Sequence, residues 1–82
     1  MSAHSILLDA IRQYDFFRAE RTENVSDTKI IVGHAPIGTE NNEAKWLIVQ
    51  LELVEGVLEK RWANGNSESD KIWNSRGSYT YK

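Results

Sequence analysis

At 82 residues the chain has room for one domain at most, and a domain of this size buries only about 60–65% of its unfolded surface, so its core is small. Ten Lys and Arg against twelve Asp and Glu, scattered along the chain, give a net charge of −2 and leave no basic block for a nucleic-acid groove. The absence of cysteine excludes disulfides and thiolate metal sites, while apolar runs of only a few residues, such as Leu47 to Val49, predict neither a membrane span nor a signal-peptide core.

Taken from the start, Leu7, Ala10, Ile11, Tyr14 and Phe17 recur at spacings of three and four, which predicts a helix near 5–17 with Ser5 as its N-cap. Ile6, Leu8 and Phe16 widen the apolar surface, and Asp9 and Arg12 fall on the other side. A helix of about three turns is marginal alone. Its apolar face therefore needs a cover, either the sheet of the same chain or a neighbouring subunit. Residues 1–20 are read as an N-terminal helical segment able to act as an intersubunit arm, and 28–82 as a small β domain.

Arg18 to Asp27 is polar, lacks periodicity and reads as a loop. Thr28 to Val32 is a β-branched run closed by Gly33, predicting a strand near 28–33. Pro36 holds Ala35 extended or in a turn, and the polar residues 40–43 form an exposed connection. Residues 45–64 carry the strongest signal, a β-hairpin in which Trp46 to Val54 alternates, Glu55-Gly56 turns, and Val57 to Asn64 returns.

A two-residue turn pairs Val54 with Val57, Leu53 with Leu58 and Val49 with Trp62, so that Leu47, Val49, Leu51 and Leu53 share a face with Leu58 and Trp62. It also sets Glu52 opposite Glu59, a like-charge pair that costs a few tenths of a kcal/mol or more. A three-residue loop would place Glu52 opposite Lys60 but lose the apolar match. Burial of one continuous face favours the first register.

Asn64-Gly65-Asn66 is a turn signal, after which Ser67 or Ser69 caps a short helical turn through Asp70, Ile72 and Trp73, broken by Asn74 to Gly77. Ser78 to Tyr81 alternates and reads as a last strand near 78–81. The fold class expected is α+β or mostly β, a small antiparallel sheet with an N-terminal helix.

The residues that make enzymes are sparse. His4 and His34 have no second histidine at a ligand spacing, and His34 lies in a Gly/Pro stretch, so a structural or solvated role is expected. The segment Gly33 to Gly38 lacks the Lys-Ser/Thr of a phosphate loop. Asp9, Asp15, Glu52, Glu55 and Glu59 show no pairing above the solvating background. No catalytic residue, metal or cofactor is expected.

Trp46, Trp62 and Trp73 with Tyr79 and Tyr81 suit core and interface filling better than a stacking surface, because acidic residues balance the basic ones around them. A host glycan is the more plausible ligand if the indoles were exposed on one flat face. Arg76 is expected to pair with Asp70 or stack on an indole. The interface or core anchors are thus Trp46, Trp62, Trp73, Arg76, Tyr79 and Tyr81, with Leu7, Ile11 and Tyr14 from the first segment.

The order of elements from Thr28 onward is similar to that of small structural proteins of tailed bacteriophages. The matching positions are Gly33, Ala35, Gly38 and Thr39 (Gly-x-Ala-x-x-Gly-Thr), Trp46 and Ile48 (Trp-x-Ile), Trp62, Ala63 and Gly65 (Trp-Ala-x-Gly), Trp73 and Arg76 (Trp-x-x-Arg), and the closing Tyr79 and Tyr81. Gly77 departs from the pattern, where Ala is more usual. The resemblance covers about the last two thirds of the chain. It implies a non-enzymatic virion component in many copies, in the tail, fibre-attachment or head-tail connector region, or alternatively a capsid decoration protein. Its implied partners are itself and other virion proteins, and its location is the virion, with the host cytoplasm before assembly. A carbohydrate-binding module for a host surface glycan is the reading from a different class.

Overall fold

The computed structural model describes residues 18–82. Four strands follow one another in an antiparallel meander: β1 (Arg18–Ser26), β2 (Lys29–Pro36), β3 (Ala44–Val54) and β4 (Val57–Trp62), with spatial order β1-β2-β3-β4. A two-residue strand, β5 (Lys71–Ile72), pairs with the start of β3, and a 3-10 helix (Trp73–Ser78) follows it directly. The described residues are therefore mostly β. The expected helix near 5–17, with Leu7, Ile11 and Tyr14, lies outside them.

The hairpin takes the register that the apolar pattern favours, with Val54 opposite Val57, Leu53 opposite Leu58, Val49 opposite Trp62 and Glu52 opposite Glu59. Each carboxylate of the like-charge pair has its own cation, Lys29 for Glu52 and Arg61 for Glu59, which offsets the repulsion. Glu55 and Gly56 both have positive φ, 51° and 81°. That is the primed turn whose twist matches the strands.

Three expectations are corrected. Arg18 to Ser26 is not a loop but the edge strand β1, and residues 18–20 belong to it rather than to a helical segment. Its alternation was hidden because the half-buried positions are Ala19, Arg21 and Glu23, two of them charged side chains whose stems lie along the sheet. Gly33 does not end β2, which runs on to Pro36. A β-carbon at Gly33 would sit 2.7 Å from Cε3 of Trp73 and 3.1 Å from Cε3 of Trp46, so this glycine marks a close approach inside a strand.

The third correction is at the C-terminus. In place of a helical turn through Asp70 to Trp73 and a strand near 78–81, the chain forms β5, then the 3-10 helix across Asn74 to Gly77. Only Tyr81 makes a bridge, to Ala63, flanked by backbone hydrogen bonds from Asn64 N to Thr80 O (2.7 Å) and between Trp62 and Lys82. The side chains of Lys71 and Tyr79 dictate this path. Lys71 is 3% exposed, and its ammonium donates to Asn66 Oδ1 (2.7 Å), Glu68 O (3.4 Å) and the Asp70 carboxylate. The Ile72 N–H donates to the Tyr79 hydroxyl at 2.8 Å.

Because side chains alternate along strands, the sheet buries apolar residues on both faces. One face carries Ile30, Val32, Val49 and Leu51, with Leu53 and Trp62 against them; we call it the aliphatic face. The other, the aromatic face, carries Ile31, Ala35, Trp46, Ile48, Ala63 and Trp73, flanked by Ala19, Tyr79 and Tyr81. The C-terminal segment folds over the aromatic face.

Candidate interaction surface

The sequence-predicted anchors divide between the two faces. Trp46, Trp73, Tyr79 and Tyr81 come together on the aromatic face, with Trp46 and Trp73 tilted at 44° and 6.0 Å between ring centres. Trp62 is on the aliphatic face, half-buried, with the Lys60 ammonium 4.6 Å from its ring centre. With Trp46 at 0% and Trp73 at 6% exposure, the three indoles do not form one exposed platform.

Most of the motif positions pack on the aromatic face or shape a turn beside it, while Trp62 packs on the aliphatic face. Gly33 makes room for the Trp73 ring, and Ala35 is small enough to lie beneath the same cluster. Gly38 adopts φ 88° within a turn closed by Thr39 N–H to Pro36 O (3.1 Å), and the buried Thr39 hydroxyl donates to the same carbonyl at 2.7 Å. Trp46 Nε1 donates to Glu40 O at 3.0 Å, so its polar edge is satisfied inside the core. After Ala63, Asn64 and Gly65 both take positive φ and reverse the chain.

Trp73 and Arg76 are three apart in a 3-10 helix, where side chains at that spacing eclipse. The guanidinium lies 4.5 Å from the Trp73 ring centre, donates through one terminal nitrogen to Trp73 O (3.0 Å), and reaches Glu23 of β1 through Nε (2.9 Å). Of the two expected roles of Arg76, stacking on an indole is the one seen, while Asp70 meets Lys71. Arg21 repeats the arrangement with its guanidinium 5.2 Å from the Trp46 ring centre and its Nε on Asn41 Oδ1 at 3.0 Å. Two cations thus cap two indoles; Arg76 ties the C-terminal layer to β1 through Glu23, and Arg21 ties β1 to β3 and to the connection before it. Sequence reasoning missed Glu23, Arg21 and Lys71, and the period-2 placement of Ala19, Arg21 and Glu23 was the available signal.

Tyr81 closes the layer, its hydroxyl donating to Arg76 O at 2.8 Å. Burial, reinforced by nearby Tyr79 and partly opposed by Arg76, pushes its pKa up to about 12. At the exposed loop, the Glu40 N–H and Lys45 hold the Glu43 carboxyl below its usual range. His34, expected in a loop, is instead a buried residue of β2. Among the described residues no group of His, Cys, Asp or Glu is arranged to hold a metal ion, and no helix is long and apolar enough to cross a membrane.

Apart from Ile37, which is 74% exposed in the β2–β3 connection, the exposed large apolar side chains among the described residues gather at the hairpin end of the sheet. Both tight turns lie there, and there too sit Val57 (60% exposed), Val25 (49%), Leu58 (40%) and Val54 (37%). The β3–β4 tip projects past the β1–β2 turn, since Thr28 O accepts from Leu53 N–H (2.8 Å) while β3 continues beyond it. Apolar side chains grouped on a projecting tip, next to the terminal strand β4, are the described surface best suited to association. Compared with known protein families, curated proteins and solved structures, the chain matches none.

Proposed function

We propose that this protein is a non-enzymatic structural subunit of a bacteriophage virion, placed in the tail, fibre-attachment or head-tail connector region and acting through its subunit interfaces. The observation that supports action by association is the projecting hairpin tip with Val54, Val57 and Leu58 exposed. A tip of this kind inserts into a neighbour at little conformational cost, because its turn is fixed by a primed geometry. The virion setting rests on the resemblance of the motif order to that of small phage proteins; each element has a packing or turn role here.

The test has two parts. Quantitative mass spectrometry of purified particles of the phage that encodes the chain should find it at a fixed ratio to other tail or connector proteins, and its absence would overturn the virion reading. A Val57→Asp/Leu58→Asp chain should keep the wild-type unfolding midpoint within a few degrees yet fail to enter particles. Incorporation at the wild-type level would reject the tip as the docking surface.

A further inference from the structure

We propose that the outer edge of β1 is a dimerisation edge, on which β1 of a second copy of this chain pairs antiparallel about a two-fold axis through Thr22. This does not rest on the virion reading. Leu53 N–H donates to Thr28 O, so the even-numbered residues of β2 turn their backbone groups to β3 and the odd-numbered ones to β1. Gly33 stands opposite Arg21 and Ile31 opposite Glu23. The backbone groups of Glu20, Thr22 and Asn24 therefore point away from the sheet, and all three residues are exposed. Among the described residues no strand pairs with that edge. At the opposite edge the outward groups of Trp62 are already bonded to Lys82.

An edge of this kind accepts a strand through its main chain, and the side chains of β1 decide which strand fits. With Thr22 opposite the partner's Thr22, Glu20 falls opposite the partner's Asn24 and Arg21 opposite the partner's Glu23. The outward-facing residues exchange their backbone hydrogen bonds in pairs. The two-fold axis repeats each contact, so an Arg–Glu pair stands on either side of the central Thr–Thr pair, and both combinations stabilise adjoining strands. Arg21 and Glu23 keep their roles within the chain. Arg21 uses Nε on Asn41 Oδ1 and Nη1 on Glu20 O, and Glu23 uses Oε1 on Arg76, so Nη2 and Oε2 are left for the cross-strand pair. The Glu20 carbonyl has a second lone pair for the partner's Asn24 N–H.

The same charges exclude the other registers. Only slips by an even number of residues keep the backbone groups facing one another. The smallest slip sets Arg21 against the partner's Arg21 or, in the other direction, Glu23 against the partner's Glu23. The next sets Glu20 against the partner's Glu20 or runs into the irregularity between Asn24 and Ser26. Like charges directly opposite are destabilising. The charged edge is thus complementary to itself in one register and repels itself in its neighbours.

Sedimentation equilibrium on the full chain, from micromolar to millimolar concentration, tests this. A reversible monomer–dimer equilibrium is expected, and a chain that is monomeric at millimolar concentration would overturn the proposal. Thr22→Pro removes an N–H that β2 does not use, at a position where an edge strand tolerates proline. It should keep the urea midpoint of the wild-type monomer and raise the dimer dissociation constant about tenfold or more, whereas Val57→Asp/Leu58→Asp at the hairpin tip should dimerise as the wild type does. Wild-type dimerisation by Thr22→Pro would reject β1 as the edge. Cross-linking fixes the register without that variant, because the chain has no cysteine of its own. Facing residues of a hydrogen-bonded pair lie about 5.5 Å apart at Cα, within disulfide reach. Under mild oxidation Thr22→Cys should form covalent dimers, and Glu20→Cys, whose two copies are offset along the strands, should not. Cross-linking of Glu20→Cys as fast as Thr22→Cys, or faster, would overturn the register and the proposal with it.

Discussion

The two faces of this sheet are built on different principles. On the aromatic face the neighbours come from far along the chain, and each contact is shape-specific: a glycine under an indole, a cation over each of two rings, a hydroxyl on a helical carbonyl. The aliphatic face is a smooth strip of β-branched and leucine side chains with no hydrogen-bonding demand at its centre. A surface of the first kind accepts one partner in one pose. The second kind tolerates exchange of one apolar side chain for another of similar volume.

Truncation on each face is the most forceful way to break this comparison. Trp73→Ala removes the centre of the aromatic layer and should cost about 3–5 kcal/mol, a large part of the stability of a domain this small. Ile30→Ala on the other face should cost about 2–4 kcal/mol if the face is covered. Urea titrations of both variants decide the matter, and a cost below about 1 kcal/mol for Ile30→Ala would mean that its side chain is hydrated in solution.

The close approach at Gly33 gives a sharper probe of shape-specific packing. Gly33→Ala places a methyl 2.7 Å from Cε3 and 2.9 Å from Cζ3 of Trp73. The ring must shift, with an expected loss of about 1–3 kcal/mol by thermal or urea unfolding. Valine 32, its neighbour on the smooth face, should accept Val32→Ile at a smaller cost, and the reverse order would erase the distinction between the faces.

Much of this contrast was legible before the structure. The hairpin register followed from the alternation of Leu47 to Leu53, because a one-residue slip would have turned every one of those side chains to the other face. The three exceptions have two physical causes. At β1 the inward positions Arg21 and Glu23 are charged, so the hydrophobic period that signals a strand is absent even though the geometry is present. At Gly33 and at Trp73 to Tyr81, the path is set by contacts between residues about forty apart, such as Gly33 with Trp73, and between Arg76 and Glu23, which no local pattern encodes. The aromatic anchors were recognisable as types, but their division between faces required the register of every strand.

A pH measurement separates the aromatic layer from the rest of the molecule. The Tyr81 phenol is held protonated in the fold, to about pH 12, by burial, while an unfolded tyrosine ionises near pH 10. Above pH 10 the unfolded state thus carries fewer protons than the native one, and stability falls as pH rises. The Tyr81 contribution is whole below about pH 10 and is lost by about pH 12. Tyr81→Phe loses the hydrogen bond to Arg76 O, about 1 kcal/mol at pH 8, but cannot ionise. The gap between wild type and Tyr81→Phe in urea titrations should therefore narrow from pH 9 to pH 12, and a constant gap would place the Tyr81 hydroxyl in water.

The smallest expected effect lies at the hairpin tip, which belongs to neither layer and so provides a baseline for both. Glu55 holds φ at 51°, a conformation in which its β-carbon crowds the following carbonyl, while Gly56 at 81° is unstrained. Asparagine tolerates that region better than glutamate, and Asn-Gly is the preferred pair for this turn. Glu55→Asn should therefore stabilise the protein by an amount on the order of 1 kcal/mol or less, raising the unfolding midpoint by a few degrees. Since the substitution touches neither face, the gain should add to the losses from Trp73→Ala and Ile30→Ala without coupling to either. Coupling to Ile30→Ala alone would mean that a change at the tip is transmitted along β3 to the aliphatic face, whose packing would then help to set the geometry of the turn.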